Sequence, residues 1–175
     1  AGGTDLVVGM RTGLFRPELV VDIKGIQELG GIRWSEEGEL SIGACVTMRQ
    51  LCEDATIAEH YPALSEGARA VGSFQIRCRA TAVGNLCNAS PCMDTAPPLL
   101  LLGAYVVAQS VKGKREIPLS EFFLDVKKTA LEADEIVTAV VVPAHSKRLR
   151  TAFDKIKRVR GHDLALVNAA AAFDP

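Results

Sequence analysis

Residues 81–92 read TAVGNLCNASPC, and the fold that the sequence predicts depends on whether this stretch binds a metal or another ligand. It holds two of the chain's five cysteines, Cys87 and Cys92, with four residues between them, and Cys78 lies just upstream. Paired zinc ligands are usually separated by roughly two to four residues, and a fourth ligand is needed. No histidine stands near enough in sequence to supply one, and iron–sulfur clusters use four thiolates. The cysteines are therefore interpreted as small buried side chains, with a metal site as the alternative.

Two short segments that contain glycine explain this region better than sulfur does. The first is residues 1–5, AGGTD, and the second is residues 81–85, TAVGN. Glycine lets the backbone approach a ligand closely, and successive N–H groups in such a turn can surround an anion. With the hydroxyls of Thr4 and Thr81, the two segments together predict a diphosphate site. Each segment alone could be an ordinary turn, and neither is a Rossmann fingerprint or a P-loop.

Composition limits the possible functions. The chain has 175 residues, of which 48% are hydrophobic and 23% charged, and this predicts about one domain with a packed core. A net charge of −1 argues against a dedicated nucleic-acid-binding protein. No apolar run approaches the ~18 residues of a membrane span. The odd number of cysteines indicates reduced thiols and a cytoplasmic location. Because the chain opens on a glycine-rich turn and stops abruptly, we expect both ends of a larger subunit to be missing.

Hydrophobic patterning predicts an α+β arrangement of hairpins and helices. A Thr47–Gln50 capping box begins one helix, and Pro62 begins another. The remaining elements are a hairpin over residues 31–45, a long structured loop over 72–98, a short helix over 99–102, and strands at 19–23, 105–109, 135–142 and 151–159.

Several motifs together match a known family. These are AGGTDL, IGACVTMRQL, QIRCRATAVGNLCNASPCMDTAPPLLLLGAYV, EIVTAVVVP and AFDKIKRVRGHDLALVNAAAAF. Nearly end to end, the chain resembles the FAD-binding subunit of the molybdenum hydroxylases, the family that includes xanthine dehydrogenase and the carbon monoxide dehydrogenase medium subunits. The resemblance implies a two-part FAD-binding domain of the type shared with vanillyl-alcohol oxidase and enolpyruvoyl-sugar reductase. It assigns residues 1–143 to that domain, and residues 144–175 to the start of a truncated C-terminal α+β domain.

The resemblance also assigns the cofactor contacts residue by residue. Asp94 matches an acid that contacts the polar chain of FAD, and Val137 and Lys155 fall at the adenine side. Leu86 and Cys87 fall where apolar residues line the isoalloxazine ring. The two diphosphate loops comprise Ala1, Gly2, Gly3, Thr4, Asp5 and Leu6 in the first, and Thr81, Ala82, Val83, Gly84 and Asn85 in the second.

The chain departs from the family pattern at three places. Val83 replaces a glycine, and a β-branched residue disfavours positive φ, so FAD affinity would fall if the loop needed that geometry. Cys78 stands where asparagine is common, which implies that a polar contact is absent. The N-terminal strand–helix–strand and much of the C-terminal domain have no counterpart in this chain.

The function implied by the resemblance is electron transfer. A large molybdopterin subunit hydroxylates the substrate, a small subunit with [2Fe–2S] clusters passes electrons to this FAD, and NAD⁺ or another acceptor receives them. This chain is then a flavoprotein oxidoreductase subunit with no catalytic acid or base of its own. The alternatives are a flavin-free structural or assembly subunit and a stand-alone flavin reductase of related fold.

Three further features can be interpreted as structural as well as functional. Asp94 is also placed to cap a helix that starts at Thr95. His162 and Asp163 suggest an acid–base dyad, but neighbours in a strand point to opposite faces. The basic run over residues 147–160 contains a single aromatic residue, Phe153, and therefore no interleaved aromatic platform, so a solvated strand face is favoured over a nucleic-acid surface.

Overall fold

A computed structural model describes all 175 residues. Its centre is a five-stranded antiparallel sheet in the order β1-β2-β7-β3-β4. Helices pack against this sheet, so the α+β expectation is confirmed. The strands are β1 (Ile32–Trp34), β2 (Leu40–Gly43), β3 (Tyr105–Ser110), β4 (Gly113–Pro118) and β7 (Ile136–Val142), with two small hairpins formed by β5 (Phe123–Asp125) with β6 (Lys128–Thr129) and by β8 (Arg150–Ile156) with β9 (Val167–Phe173).

The predicted β1–β2 hairpin is confirmed, with Ile32 opposite Ile42 and Trp34 opposite Leu40. Leu40 and Ile42 are fully buried because alternate residues of β2 face the core. β7 lies between β2 and β3, and it contributes Val137, Val140 and Val142 to that core.

Local capping signals set the helix boundaries. The Thr47–Gln50 capping box is formed: the Gln50 amide donates to Thr47 Oγ1 at 3.2 Å, and the Thr47 amide donates to Gln50 Oε1 at 2.9 Å. Pro62 opens the helix that buries Leu64 and Ala68, as predicted. The helices are α1 (Leu6–Arg11), α2 (Met48–Glu53), α3 (Ala55–His60), α4 (Pro62–Ala70), α5 (Phe74–Arg77), α6 (Ala82–Cys87), α7 (Ala96–Leu101) and α8 (Leu119–Phe122).

Two predictions of secondary structure are wrong. Residues 72–98 contain α5, α6 and the start of α7, because Ser73 and Thr81 act as N-caps and do not mark a loop. Residues 19–23 form no strand, and Val20 is 51% exposed, because no neighbouring strand pairs with this segment. The predicted strand at 151–159 ends earlier, at Ile156.

The β8–β9 hairpin forms a separate two-stranded sheet that docks on α4 and α7. The Phe153 amide donates to Glu66 at 3.2 Å, and the Ala63 amide donates to the Thr151 hydroxyl at 3.3 Å. The division of the chain at residues 143 and 144 stays a prediction. None of the helices is long and apolar enough to cross a membrane.

An ion pair joins the edge of the central sheet to the turn that precedes β7. Arg115 on β4 makes two hydrogen bonds to the Glu135 carboxylate, at 2.6 and 2.7 Å, and the Glu132 amide adds a third at 2.8 Å. These donors, Arg115 first, lower the pKa of Glu135 from an ordinary value of 4.5 to about 2.

Glu135→Gln tests this interaction. A carboxylate whose pKa is depressed by folding stabilises the protein above its unfolded pKa, and the contribution is lost as the pH falls towards the folded value. We expect the variant to be less stable than the parent at pH 6, and the difference to disappear between about pH 4.5 and pH 2. Urea denaturation at each pH measures this. Glu59→Gln, at an exposed site without an ion pair, is the control; a gap that stays constant with pH would contradict the assignment.

Candidate functional site

The two glycine segments lie at one cavity of about 720 Å³. Its wall includes Gly2, Gly3 and Thr4 from the first segment, and Thr81, Gly84 and Asn85 from the second. Segments that are about 80 residues apart in sequence are therefore neighbours in space, as the diphosphate hypothesis requires.

At Gly2 the first segment lies close to the backbone of Arg79 and Ala80, the two residues just before the second segment. A Cβ atom on Gly2 would lie 2.3 Å from the carbonyl oxygen of Arg79 and 3.0 Å from the Cα of Ala80. A real side chain cannot occupy such a position, and the obstacle is backbone, which cannot rotate away. Only glycine permits the first segment to lie this close to the residues that lead into α6.

The first segment offers several free amides. Gly3 has φ = +75°, a conformation that glycine adopts without strain. The Gly3 carbonyl accepts from the Val7 amide at 2.9 Å, whereas the N–H groups of Gly3, Thr4 and Asp5 have no partner in the protein. A Cβ on Gly3 would meet only the Val7 side chain, at 3.6 Å. Glycine is therefore needed at position 2 because no space exists for a side chain, and at position 3 because the backbone has a positive φ.

The second segment is helical, which corrects the picture of a second turn with successive free amides. Thr81 is the N-cap of α6, and its hydroxyl accepts from the Gly84 amide at 3.0 Å. The Ala82 amide donates to the Val46 carbonyl at 3.4 Å, so within the first turn only the Val83 amide lacks a partner. The buried Thr81 hydroxyl still has its proton available to a ligand.

One face of α6 belongs to the cavity and the other to the core. Gly84, Asn85 and Cys87 line the cavity. Val83 is helical and 4% exposed, so it fills the core, and the concern about a positive φ at this position does not apply. Of the residues assigned by resemblance, those that do not line the cavity are Ala82, Val83, Leu86 and Val137; the first three are core residues of α6, and Val137 is buried in β7.

Asn85 and Thr95 form a polar contact beside the cavity. The Thr95 hydroxyl donates to Asn85 Oδ1 at 2.7 Å. The side-chain amide N–H₂ of Asn85 makes no hydrogen bond in the protein, so it is available as a donor to a ligand.

A buried ion pair closes another side of the cavity. Lys155 Nζ lies 2.6 Å from Asp94 Oδ2, and both side chains are 6% exposed. Asn168 on β9 donates its amide to Asp94 Oδ1 at 3.0 Å and to the Met93 carbonyl at 2.9 Å. Asp94 therefore does not cap a helix: the N-cap of α7 is Thr95, without a side-chain bond.

The sequence gives no sign of the part played by Asn168. It lies 74 residues from Asp94, in a run of small residues, and no motif marks it. Only the docking of the β8–β9 hairpin brings the two together.

The cysteines around the site are all free. Burial raises the pKa of the Cys87 thiol to about 11, so this group is neutral at physiological pH. Cys92 also lines the cavity, whereas Cys78 ends α5 and does not. No three histidine, cysteine, aspartate or glutamate side chains converge closely enough to hold a metal ion.

His162 and Asp163 both line the cavity without forming a dyad. The Asp163 carboxylate is bound by the Arg158 guanidinium at 2.8 and 3.2 Å, which holds its pKa well below the usual range. His162 makes no hydrogen bond to it.

Comparisons with known proteins agree on one family. The sequence profile described as "FAD binding domain in molybdopterin dehydrogenase" matches residues 1–145. The chain is 36% identical over 172 residues to the xanthine dehydrogenase FAD-binding subunit of Escherichia coli O157:H7, covering 98% of this chain and 59% of that protein. It is 37% identical over 175 residues to the nicotinate dehydrogenase FAD-subunit of Eubacterium barkeri, covering 98% and 59%.

The fold agrees as well. The structure of quinoline 2-oxidoreductase from Pseudomonas putida 86 superposes with a TM-score of 0.91 at 32% identity, covering 98% of this chain and 59% of that chain. The chain thus spans somewhat more than half the length of the relatives that it matches.

Lys155→Met tests the buried ion pair. Removal of one partner leaves the Asp94 carboxylate buried without its counter-charge, which we expect to cost about 3–5 kcal/mol of the free energy of unfolding. Urea denaturation of the complete protein measures it. The double variant Asp94→Asn with Lys155→Met should recover much of the loss, because the uncompensated charge is gone. Lys157→Met, on the exposed part of the same hairpin, is the matched control, and an equal loss in that control would refute the explanation.

Proposed function

The chain belongs to the FAD-binding domains of the molybdopterin dehydrogenases, and from that premise we propose that it holds FAD as the electron-transfer flavoprotein of a molybdenum-containing hydroxylase. The resemblance seen in the sequence motifs is thereby confirmed, together with the FAD-binding fold. The roles of individual residues, the acceptor and the partner subunits are parts of the proposal.

The observation that supports FAD best is the contact at Gly2. It places a segment with three free amides near the N-terminal end of α6, at the cavity that Thr81 also lines. A pair of phosphates needs several donors that converge without bulky side chains between them, and this arrangement provides them. The cavity volume of about 720 Å³ is within the range of roughly 300–1,000 Å³ that is usual for ligand sites.

Each residue then has a physical task. The amides of Gly3, Thr4 and Asp5 donate to the diphosphate, with the Thr81 hydroxyl and the Asn85 amide as further donors. Ala1, Gly2 and Leu6 shape the same wall. Asp94 keeps one lone pair on each oxygen for hydroxyl groups of the cofactor, while Lys155 holds it in place. When bound, FAD supplies the two-electron chemistry, and these residues bind and orient it.

Neutral packing is proposed for the ring end of the site. Cys87 lines the cavity at the end of α6, and because its thiol stays protonated it places no charge beside the ring. Leu86, assigned to the ring, and Val137, assigned to the adenine side, are core residues that do not line the cavity.

The partner subunits and the electron route are proposed on the resemblance to the family. A small iron–sulfur subunit would donate electrons, a large molybdopterin subunit would hydroxylate the substrate, and NAD⁺ or another acceptor would receive the electrons. A cytoplasmic location is proposed on the odd number of cysteines, all of them free. A flavin-free assembly subunit is disfavoured because Val83, the departure that suggested it, sits in an ordinary helix. A stand-alone flavin reductase would turn over NAD(P)H without the iron–sulfur and molybdenum subunits.

Gly2→Ala tests the proposed function. The added Cβ must push the first segment away from the Arg79 carbonyl, so we expect FAD to bind at least about tenfold more weakly, which is ~1.4 kcal/mol. Released FAD is quantified by its absorbance after purification of the complete complex, and its dissociation constant by titration of the apoprotein.

Gly25→Ala is the matched control, because a Cβ there meets nothing within 4 Å. Circular dichroism shows whether both variants keep the fold. A parent complex without flavin, or a Gly2→Ala variant with parental affinity, would overturn the proposal.

A further inference from the structure

The β5–β6 hairpin brings an unusual residue to the cavity. Its two-residue turn is Val126–Lys127, and Lys127 has φ = +61°. Its amide donates to the carbonyl of Ala89 at 2.8 Å, and Ala89 has φ = +44°. These are the only two residues of the chain other than glycine with positive φ, and they are hydrogen-bonded to each other.

The backbone alone does not account for a lysine in this turn. A turn position with positive φ is normally filled by glycine, asparagine or aspartate, because a Cβ is crowded there. Apart from Ala89, the chain uses glycine at its other positions with positive φ, for example at Gly38 in the β1–β2 turn. Residues kept in strained backbone conformations cluster at functional sites. The conformation of this turn therefore indicates a role for the Lys127 side chain.

That side chain lies at the cavity as an unpaired cation. Lys127 Nζ donates to Asn88 Oδ1 at 2.9 Å, and both residues line the cavity. No carboxylate lies within ion-pair distance of it. The other lysine of the cavity wall, Lys155, is neutralised by Asp94.

Its position along α6 separates it from the diphosphate site. Thr81 precedes the helix and Asn88 follows it, so the two are about 10 Å apart at 1.5 Å per residue. The glycine segment contacts the chain just before Thr81, at the far end from Lys127. Lys127 lies instead at the C-terminal end of α6, next to Cys87. Because the Cys87 thiol is neutral, it does not form an ion pair with the Lys127 ammonium group.

We propose that Lys127 is the cation that stabilises the negative charge of the reduced flavin ring and so raises its reduction potential. This inference rests on the proposed function, in which the iron–sulfur subunit supplies two electrons. With those two electrons and one proton from solvent, the ring gains one negative charge. A nearby ammonium group favours that state over the neutral oxidised ring, and Asn88 keeps the group in place.

Lys127→Met and Lys128→Met form a matched pair for the test. Lys128 is the next residue and is exposed like Lys127, but it lies outside the cavity wall. Both variants are made in the complete protein within its complex, and the flavin midpoint potential is measured by equilibration with redox dyes. We expect Lys127→Met to lower the potential by ~30 mV, a tenfold change in the two-electron equilibrium, and Lys128→Met to leave it unchanged.

Lys127→Gly separates the role of the charge from that of the turn. Glycine accepts the positive φ, so thermal stability of the apoprotein should stay equal or rise while the potential falls as in Lys127→Met. FAD content is measured in every preparation. Parental potential in both Lys127 variants that still contain FAD would overturn the inference about Lys127 alone. Weaker FAD binding with an unchanged potential would also overturn it, since it would indicate a phosphate contact. A parent without FAD would instead overturn the proposed function.

Discussion

The close approach of Gly2 to the backbone of Arg79 and Ala80 is the constraint on which the site depends. It joins residues 1–5 to the residues just before α6, and no side chain fits between them. Next to this approach, Gly3, Thr4 and Asp5 line the cavity with amides that have no hydrogen-bond partner in the protein. In the proposed function, diphosphate recognition would therefore depend mainly on backbone geometry, with Thr81 and Asn85 as the contributing side chains of the two segments.

The short helix α6 organises the site along its length. At its start, Thr81 uses its hydroxyl both to cap the helix and to face the cavity. At its end, Cys87 and Asn88 face the same cavity, with the thiol kept neutral by burial. Its opposite face, with Val83 and Leu86, is anchored in the core against β7. The polar wall is therefore supported from behind by the hydrophobic core.

The charges of the site are divided between fixed and free groups. Asp94 and Lys155 neutralise each other in a buried pair to which Asn168 adds a donor, and this pair also connects the β8–β9 hairpin to the segment that leads into α7. Arg158 neutralises Asp163 in the same way at the rim. Lys127 remains as a lysine at the wall without a carboxylate, on a strained turn that glycine would fill more easily.

The family, the antiparallel hairpin and the helix starts at Thr47 and Pro62 could be predicted from the amino-acid sequence, because those signals are local: alternation, caps and glycine-containing motifs. It misjudged residues 72–98, where caps and turn formers look alike until the chain is packed. Only the tertiary structure decided that Val83 and Leu86 face the core, that Asn168 binds Asp94, and that Lys127 reaches the cavity. Those facts depend on which face of a helix or which turn of a hairpin meets a distant segment. Such long-range contacts produce no periodic pattern in the amino-acid sequence.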